Sequence, residues 1–383
     1  MVFRSICTTF VLNSTMTSIY IHIPFCASRC IYCGFYSTVE TSLRQQYADA
    51  LCHEMTLRPT ADTISTIYLG GGTPSQLSAA QLRQLFEALY NIYKVSDNAE
   101  VTVEANPDDV TANFAEALST LPVNRVSMGV QTFDEERLLF LHRRHTSQQV
   151  RQAVERLREA GYRNISIDLM YGFPGETLDD WQHDIDAAIA LGAEHVSAYC
   201  LSIEEGTALF ELMNKGQIIK NDEETERAMY YMLIDRLAAA GYEHYEISNF
   251  ARPGYRSRHN SSYWTDIPYI GLGAAAHSYD GQYRRWNPDN LKQYMDSINN
   301  GQLTFEEEFI DNTTHYNDRV MLSLRTAEGV NLDTLSADDC AYLLKNARRH
   351  VTRGLLTFKE NRLALSRDGL FVSDMVMSDL MRV

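Results

Sequence analysis

The chain has 383 residues, of which 45% are hydrophobic and 22% charged, which is ordinary for a folded protein and predicts two or three domains. Its formal net charge of −16 argues against a nucleic-acid partner, because phosphate binding depends on basic surface. No apolar run approaches the roughly 20 residues needed to cross a bilayer, so we expect no transmembrane segment and a cytoplasmic location.

Residues 1–15 lack the continuous apolar core of a signal peptide. We expect them to be a disordered tail or a mis-assigned start, with translation beginning at Met16. The first strand-like run follows at residues 18–24, where Pro24 stops the alternating pattern.

Three cysteines come directly after this run in a C-x3-C-x2-C pattern: Cys26, Cys30 and Cys33. Three thiolates can hold three corners of a cubane iron–sulfur cluster and leave the fourth iron open. A zinc site completed by His22 or His53 is an alternative, although zinc ligands usually come as two spaced pairs. A disulfide is disfavoured, because seven cysteines is an odd number and nothing indicates secretion.

Strand-like runs alternate with amphipathic segments up to about residue 201. The predicted strands are 18–24, 65–69, 100–105, 124–130, 164–169 and 195–201, and the predicted helices are 41–57, 78–93, 111–120, 134–160 and 178–191. This alternation predicts a parallel sheet with helices outside it. Residues suited to chemistry follow or end each strand, which is typical of barrels rather than open sheets. We therefore predict an α/β fold with a partial (β/α)6 barrel over residues 16–221.

The remaining chain divides in two. Residues 222–305 are predicted to be a linking region with a helix at 222–241, followed by aromatic stretches. Residues 306–383 carry two helical patterns, a hairpin and a final helix, an order that resembles a small, mostly helical winged-helix domain. Ten acidic and ten basic side chains in residues 311–383 favour a packing or lid role over DNA binding.

Several motifs occur together in the order typical of one family. They are the cysteine triplet, Gly70-Gly71-Gly72-Thr73-Pro74, Glu104-Ala105-Asn106-Pro107, Ser127-Met128-Gly129-Val130-Gln131 and Asp168-Leu169-Met170-Tyr171-Gly172. From about residue 19 to the C-terminus the chain resembles the radical S-adenosylmethionine (SAM) superfamily, in its oxygen-independent coproporphyrinogen III oxidase-like branch. The oxidases of this branch resemble C-x3-C-x2-C-x-C, whereas this chain has Phe35 at the fourth cysteine position. The intact run His259-Asn260-Ser261-Ser262-Tyr263-Trp264 is instead similar to the motif of the HemW-type heme chaperones.

The resemblance implies a [4Fe-4S] cluster ligated by Cys26, Cys30 and Cys33, with SAM bound to the open iron. The family's SAM contacts map onto Tyr20, Gly71, Glu104 and His277. A second SAM, as in the oxidase branch, maps onto Tyr32, Gly72, Thr73, Gln131, Arg143, Asp168 and Cys200.

Heme is the implied cargo of a HemW-type protein. A neutral imidazole is a common axial ligand of heme iron, and aromatic side chains can cover a porphyrin face. His259 is therefore the leading candidate ligand, with Tyr263 and Trp264 beside the porphyrin and His277 as a rival ligand. Considered alone, a histidine beside aromatic residues is more often a packed residue.

Three functions remain in competition. The first is a heme chaperone that transfers heme to an acceptor protein, with a respiratory enzyme as one candidate acceptor. The second is an oxygen-independent coproporphyrinogen III oxidase, which would decarboxylate its substrate by radical SAM chemistry. The third is a zinc-binding scaffold. Whether the chain is an enzyme is therefore left open, and a monomer and a homodimer are both compatible with the sequence.

Overall fold

The computed structural model describes residues 16–382, so the predictions for residues 1–15 lie outside the described residues. Six parallel strands form the centre of the fold: β1 (Met16–Ile23), β2 (Thr63–Gly71), β3 (Lys94–Ala105), β4 (Arg125–Gln131), β5 (Ile165–Tyr171) and β6 (His195–Cys200). The helices between them are α1 (Arg44–Leu57), α2 (Ala79–Ile92), α3 (Ala112–Ser119), α4 (Glu135–Phe140), α5 (Ser147–Glu159) and α6 (Leu178–Leu191).

The single helix predicted over residues 134–160 is wrong, because the chain forms α4 and α5 there. His142, between them, has a φ of 60°, in the left-handed region that an α-helix cannot contain. Thr146 then starts α5 with a capping box, in which its side chain accepts from the backbone N–H of Gln149. The N-cap of α5 can be recognised from the sequence. The break between α4 and α5 cannot, because no glycine or proline marks it.

The middle of the chain adds strands to both edges of the parallel sheet. Its elements are α7 (Ala208–Asn214), α8 (Glu223–Ala239), β7 (Glu243–Glu246), β8 (Asn249–Ala251), α9 (Arg258–Tyr263), β9 (Tyr269–Leu272), β10 (His277–Tyr279), β11 (Tyr283–Trp286), α10 (Leu291–Asn299) and β12 (Glu306–Phe309). The strand order is β12-β11-β10-β9-β1-β2-β3-β4-β5-β6-β8-β7. β1 therefore pairs with β9, and β6 with β8, so the barrel is open between its first and last parallel strands.

The C-terminal elements pack around a core of their own, which includes Val320, Leu343 and Leu363. They are α11 (Asn312–Leu324), β13 (Val330–Asn331), α12 (Ala337–Thr352), β14 (Leu356–Lys359), β15 (Arg362–Leu365), α13 (Arg367–Phe371) and α14 (Ser373–Leu380). The predicted α/β class with a mostly helical C-terminal region is confirmed. Within residues 16–382, none of the helices has both the length and the apolar character that crossing a bilayer requires.

Strand alternation separates the core from the inside of the barrel. On β1, Ile19, Ile21 and Ile23 are fully buried in the main hydrophobic core. The intervening Tyr20 faces the other way and lines a cavity, as do Glu104 on β3 and Asp168 on β5. Because successive side chains of a strand point to opposite faces, one register places apolar residues in the core and polar residues inside the barrel.

Glu54 on α1 is a buried carboxylate that ties the added strands to the barrel. Its oxygens accept hydrogen bonds from Gly273 N at 2.8 Å, from Asn287 Nδ2 at 2.8 Å and from Tyr294 Oη at 2.7 Å. Arg58 Nη1 lies 3.3 Å away and supplies the opposite charge. The buried charge is thus surrounded by donors, which is the condition for a stable buried carboxylate.

We expect Glu54→Gln to lower the free energy of unfolding by about 2–4 kcal/mol. The glutamine NH2 group would point at N–H and O–H donors that the carboxylate now accepts from, and at least one of them would lose its acceptor. Urea unfolding followed by circular dichroism measures the change. Glu87→Gln, at an exposed position of α2, is the matched control and should stay within about 0.5 kcal/mol of the parent. Equal stability of the two variants would contradict the role given to Glu54.

Candidate active site and motif helix

The parallel strands carry side chains into one cavity of about 730 Å³. Most of the predicted site residues line it: Tyr20, Cys26, Cys30, Tyr32, Cys33, Gly71, Gly72, Thr73, Glu104, Gln131, Arg143, Asp168 and Cys200. The predicted residues outside this lining are His259, Tyr263, Trp264 and His277. The structure therefore brings together the residues predicted for the cluster and for SAM, except His277, and places the predicted heme residues elsewhere.

The three cysteines lie on the loop after β1, each partly buried. The backbone closes this loop, since Cys26 N donates to Thr38 O at 2.9 Å and Thr38 N donates to Pro24 O at 2.7 Å. Thr73 Oγ1 lies 3.6 Å from Cys26 Sγ, and Arg143 Nη1 donates to Cys30 Sγ at 3.5 Å. The loop therefore presents two of its sulfurs beside a hydroxyl and a guanidinium. Burial raises the pKa of the Cys26 thiol.

The zinc alternative has less support from the geometry around His22. Its Nε2 lies 3.0 Å from the carbonyl oxygen of Tyr36, and its Nδ1 lies 3.1 Å from Tyr20 Oη, so both ring nitrogens already have partners. In the part of the chain that the structure describes, no three His, Cys, Asp or Glu side chains converge on a position for a single metal ion.

The glycine run lets β2 pass very close to β1. Gly71 has a φ of +105°, and a Cβ there would lie 2.3 Å from the His22 ring. A Cβ at Gly72 would lie 2.7 Å from the carbonyl oxygen of Ile23, and the Gly72 N–H donates to that oxygen at 2.8 Å. Strand packing alone therefore requires glycine at both positions, and the bare backbone of both residues also lines the cavity.

Two buried carboxyl groups face the cavity. Tyr68 Oη donates to Glu104 Oε1 at 2.6 Å, and Gly71 N donates to Glu104 Oε2 at 3.2 Å. Burial, with a smaller effect from nearby Asp168, raises the pKa of Glu104 to about 7. Burial also raises the pKa of Asp168 to about 6. Both groups therefore change charge close to neutral pH in the absence of a ligand.

Arg143 connects the cysteine loop with the end of β4. Its Nη2 donates to Asn106 Oδ1 at 2.6 Å and to the carbonyl oxygen of Gly129 at 2.5 Å. Gln131, at the end of β4, has a φ of 69°, which is costly for a residue other than glycine. The strained residue lines the cavity, as strain at functional positions often does. Phe35 also lines the cavity and is 70% exposed.

His259 lies behind the cavity wall, on the short helix α9. Tyr20 and Tyr68 line the cavity and contact the His259 ring, with the Tyr68 ring stacked at a centroid distance of 5.0 Å. His259 is 1% exposed, and burial lowers its pKa to about 3, so the ring is neutral. Its Nδ1 lies 2.8 Å from Thr66 Oγ1 and its Nε2 lies 2.9 Å from Tyr263 Oη. In this conformation His259 is a packed residue with both nitrogens hydrogen-bonded.

A buried carboxylate on β3 holds the start of α9. Glu100 accepts from the backbone N–H of Arg258 at 3.1 Å and from that of His259 at 2.9 Å. Ser257 Oγ accepts from Asn260 N, and Asn260 is the residue of the motif that reaches the cavity. Glu100 was not identified from the sequence. Strand alternation was the signal that could have found it, because Glu100 lies four residues before Glu104 on β3 and therefore points to the same face.

The other two predicted residues, Trp264 and His277, lie outside the cavity lining. Trp264 has the Arg325 guanidinium 4.9 Å from its ring centre, and its indole N–H has no hydrogen-bond partner among residues 16–382. His277 is exposed on β10 and stacks on Trp286 at 5.7 Å. Burial of part of its ring and the charge of Arg284 lower the pKa of His277. His277 is thus outside the cavity in this conformation.

The raised pKa of Glu104 predicts that the stability of the full chain without cofactors depends on pH. Because its folded pKa of about 7 exceeds the ordinary value of 4.5, its contribution to stability is complete below about pH 4.5 and is lost as the pH rises through about 7. We expect the difference in Tm between the parent and Glu104→Gln to fall between about pH 5 and pH 8. Differential scanning calorimetry measures it, with Glu87→Gln as control. Parallel pH profiles of the parent and Glu104→Gln would contradict this assignment.

The comparisons with known proteins agree on one family. The family model of the radical SAM superfamily matches residues 20–188, and that of the HemN C-terminal domain matches residues 310–372. The heme chaperone HemW of Bacillus subtilis (strain 168) is 40% identical over 82% of this chain and 85% of its own length. The heme chaperone HemW of Mycobacterium tuberculosis (strain ATCC 25618 / H37Rv) is 34% identical over 95% of this chain and 94% of its own length.

A solved structure extends the agreement to the fold. The coproporphyrinogen III oxidase HemN from Escherichia coli superposes with a TM-score of 0.83, covering 96% of this chain and 90% of its own. At 23% identity this similarity shows the radical SAM fold and does not extend to the activity. The sequence relatives are close enough to decide the family, as the motifs predicted: the chain belongs to the HemW family within the radical SAM superfamily.

Proposed function

We propose that this protein is a heme chaperone that carries a [4Fe-4S] cluster and SAM, binds heme and transfers it to an acceptor protein. The observation that carries the proposal is the intact His-Asn-x-x-Tyr-Trp motif on α9, directly behind the cavity that gathers the cysteines. The relatives named heme chaperones support it. A respiratory enzyme is one candidate acceptor, and the cytoplasm is the location we propose.

The cavity lining fits a cluster held by three thiolates. Cys26, Cys30 and Cys33 would each hold one iron, with Thr73 and Arg143 beside two of the sulfurs. A cation and a hydroxyl beside thiolates compensate the negative charge that such a cluster places in a partly buried site. When bound, the cluster supplies one iron that is open to the amino and carboxylate groups of SAM.

The same cavity fits SAM beside the cluster. Tyr20, Gly71 and Glu104 would contact SAM. The Glu104 carboxyl, held by Tyr68, can accept hydrogen bonds from hydroxyl or amino groups. The residues proposed for a second SAM are Tyr32, Gly72, Thr73, Gln131, Arg143, Asp168 and Cys200. Burial raises the pKa of Cys200 to about 12, so its thiol stays protonated and acts as a neutral contact.

His259 would bind heme iron through Nε2, with Tyr263 and Trp264 beside the porphyrin and His277 as the rival ligand. Because His259 is buried and Nε2 bonds to Tyr263, ligation requires the Tyr263 side of the ring to open for heme, while the Nδ1 contact with Thr66 on β2 is kept. Only the Nε2 bond must be exchanged for iron.

The contacts on either side of α9 come from the C-terminal domain. Arg256 pairs with Glu328 at 2.7 Å, and the Asp266 carboxylate pairs with His315 at 2.9 Å. The Arg325 guanidinium lies over the ring of Trp264, which is two residues before Asp266 in the chain. An exposed ion pair such as Arg256–Glu328 contributes at most about 1 kcal/mol. We therefore propose that the C-terminal domain acts as a lid, whose departure uncovers the Trp264 end of α9 for heme while His259 stays in contact with Thr66.

The cluster proposal predicts the metal content of two cysteine variants. After anaerobic reconstitution we expect about four iron and four sulfide per chain in the parent. Cys30→Ser should lose most of both, because the remaining two thiolates hold a cluster poorly. Cys52→Ser, on α1 beside Gln84, is the matched control and should equal the parent. Iron and sulfide analysis measures this, and zinc without iron or sulfide in the parent would instead establish the zinc scaffold.

The heme proposal predicts the effect of removing the motif side chains. We expect the double variant His259→Ala, Tyr263→Ala to bind heme at least about tenfold more weakly than the parent, because iron loses its imidazole ligand. Titration followed by absorbance in the Soret region measures this. His183→Ala, exposed on α6, is the control, and circular dichroism verifies that the double variant is folded. Unchanged heme affinity in the folded double variant would refute the assignment.

A second candidate function is oxygen-independent coproporphyrinogen III oxidation. The observation that favours it is that the whole second SAM set predicted from the oxidase branch lines the same cavity. Phe35 stands where oxidases of this branch have a fourth cysteine, which weakens this candidate without removing the three cluster ligands. An anaerobic assay with reductant, SAM and coproporphyrinogen III tests it. Sustained protoporphyrinogen formation would establish the oxidase and displace the chaperone proposal.

A further inference from the structure

The hydroxyl groups around His259 form a chain of hydrogen bonds whose directions follow from one fixed point. Ser262 Oγ lies 2.7 Å from the backbone carbonyl oxygen of His259, and a carbonyl oxygen can only accept. Ser262 therefore donates its one hydroxyl proton to this carbonyl oxygen. Its second neighbour, Ser18 Oγ at 3.2 Å, must then donate to it.

The hydrogen bonds of Ser18 on β1 and Thr66 on β2 have directions that are fixed in the same way. Ser18 gives its proton to Ser262, so Thr66 Oγ1, at 2.9 Å, must donate to Ser18. Thr66 then has no proton left for the His259 ring, whose Nδ1 lies 2.8 Å from Thr66 Oγ1. Nδ1 therefore carries the proton and donates it to Thr66. The three hydroxyl groups are buried, so water does not compete for these bonds.

The tautomer of His259 follows directly. His259 is buried and its ring nitrogens contact two hydroxyl groups rather than a carboxylate, so the ring is neutral, with one N–H and one lone pair. With the proton on Nδ1, the lone pair is on Nε2, and Tyr263 Oη donates to it at 2.9 Å. In the described part of the chain this is the one hydrogen bond made by the Tyr263 hydroxyl.

We propose that Thr66, through the hydroxyl chain completed by Ser18 and Ser262, is a positioning residue that fixes His259 as the Nδ1–H tautomer and keeps the Nε2 lone pair for heme iron. The use of that lone pair rests on the function proposed above, whereas the tautomer rests on the hydrogen bonds alone. Metal-binding histidines generally donate their second ring N–H to a fixed acceptor, which sets the ring orientation and raises the basicity of the ligating nitrogen. The Tyr263 hydroxyl bonds to the Nε2 lone pair that would bind heme iron.

Two variants should change the tautomer by different routes. Thr66→Val removes the acceptor of Nδ1 with little change of shape, so we expect the proton to move to Nε2, where it can donate to Tyr263. Ser18→Ala leaves Thr66 without its acceptor, so the Thr66 proton turns to Nδ1 and the same tautomer change follows. Two variants should keep the Nδ1–H form. Thr66→Ser retains the hydroxyl, and Tyr263→Phe removes only the bond to Nε2.

Nitrogen-15 NMR of the full chain without heme, labelled at histidine, distinguishes a protonated ring nitrogen from one with a lone pair, and His259→Ala identifies the signal. Heme titration of the same proteins follows. We expect about tenfold weaker binding, and loss of the imidazole-ligated Soret spectrum, in Thr66→Val and Ser18→Ala. Thr66→Ser should bind like the parent.

The outcomes separate this inference from the function on which it rests. An Nδ1–H signal retained in both Thr66→Val and Ser18→Ala would overturn the hydroxyl chain as the cause of the tautomer. A changed tautomer with parent-like heme affinity would overturn the positioning role of Thr66. If His259→Ala also binds heme like the parent, the ligation itself fails, whichever tautomer is found.

Discussion

The position of the motif helix depends on one buried carboxylate. Glu100 on β3 accepts from two backbone N–H groups at the start of α9, and a carboxylate at a helix N-terminus is favourable for both hydrogen bonding and charge. This contact sets His259 against Thr66 and Tyr68. The hydroxyl chain that fixes the imidazole tautomer exists only because the helix begins there. Heme ligation by His259, as proposed, therefore also depends on a residue of the barrel that lies outside the motif.

The cavity and the motif are two adjacent sites that share a wall. Tyr20 and Tyr68 contribute one ring face to each side, and Asn260 extends from the motif helix into the cavity. A cluster and SAM would thus lie on one side of the wall and heme iron on the other. If both bind as proposed, this arrangement would connect SAM with heme, because both tyrosines, and Glu104 bonded to Tyr68, line the cavity proposed for SAM.

Local patterns in the sequence predicted the barrel strands and the cysteine loop, and the family motifs predicted the cavity residues proposed for the cluster and SAM, apart from His277. They could do so because alternation and βα order determine which residues reach the carboxyl ends of parallel strands. The break at His142 was not predicted, since it depends on a left-handed residue that carries no glycine signal. The distant partners of His259 were also not predicted. Thr66 and Glu100 are more than 150 positions away from it, and only the folded chain brings them together.

As proposed, the cluster with SAM and the heme would occupy separate sites in one chain. Heme titration of the anaerobically reconstituted protein, with and without saturating SAM, tests it most directly when bound SAM is measured in the same samples. The predicted result is that one heme binds while SAM and the cluster both remain bound. Displacement of SAM in proportion to the heme added, or no heme binding at all, would contradict it.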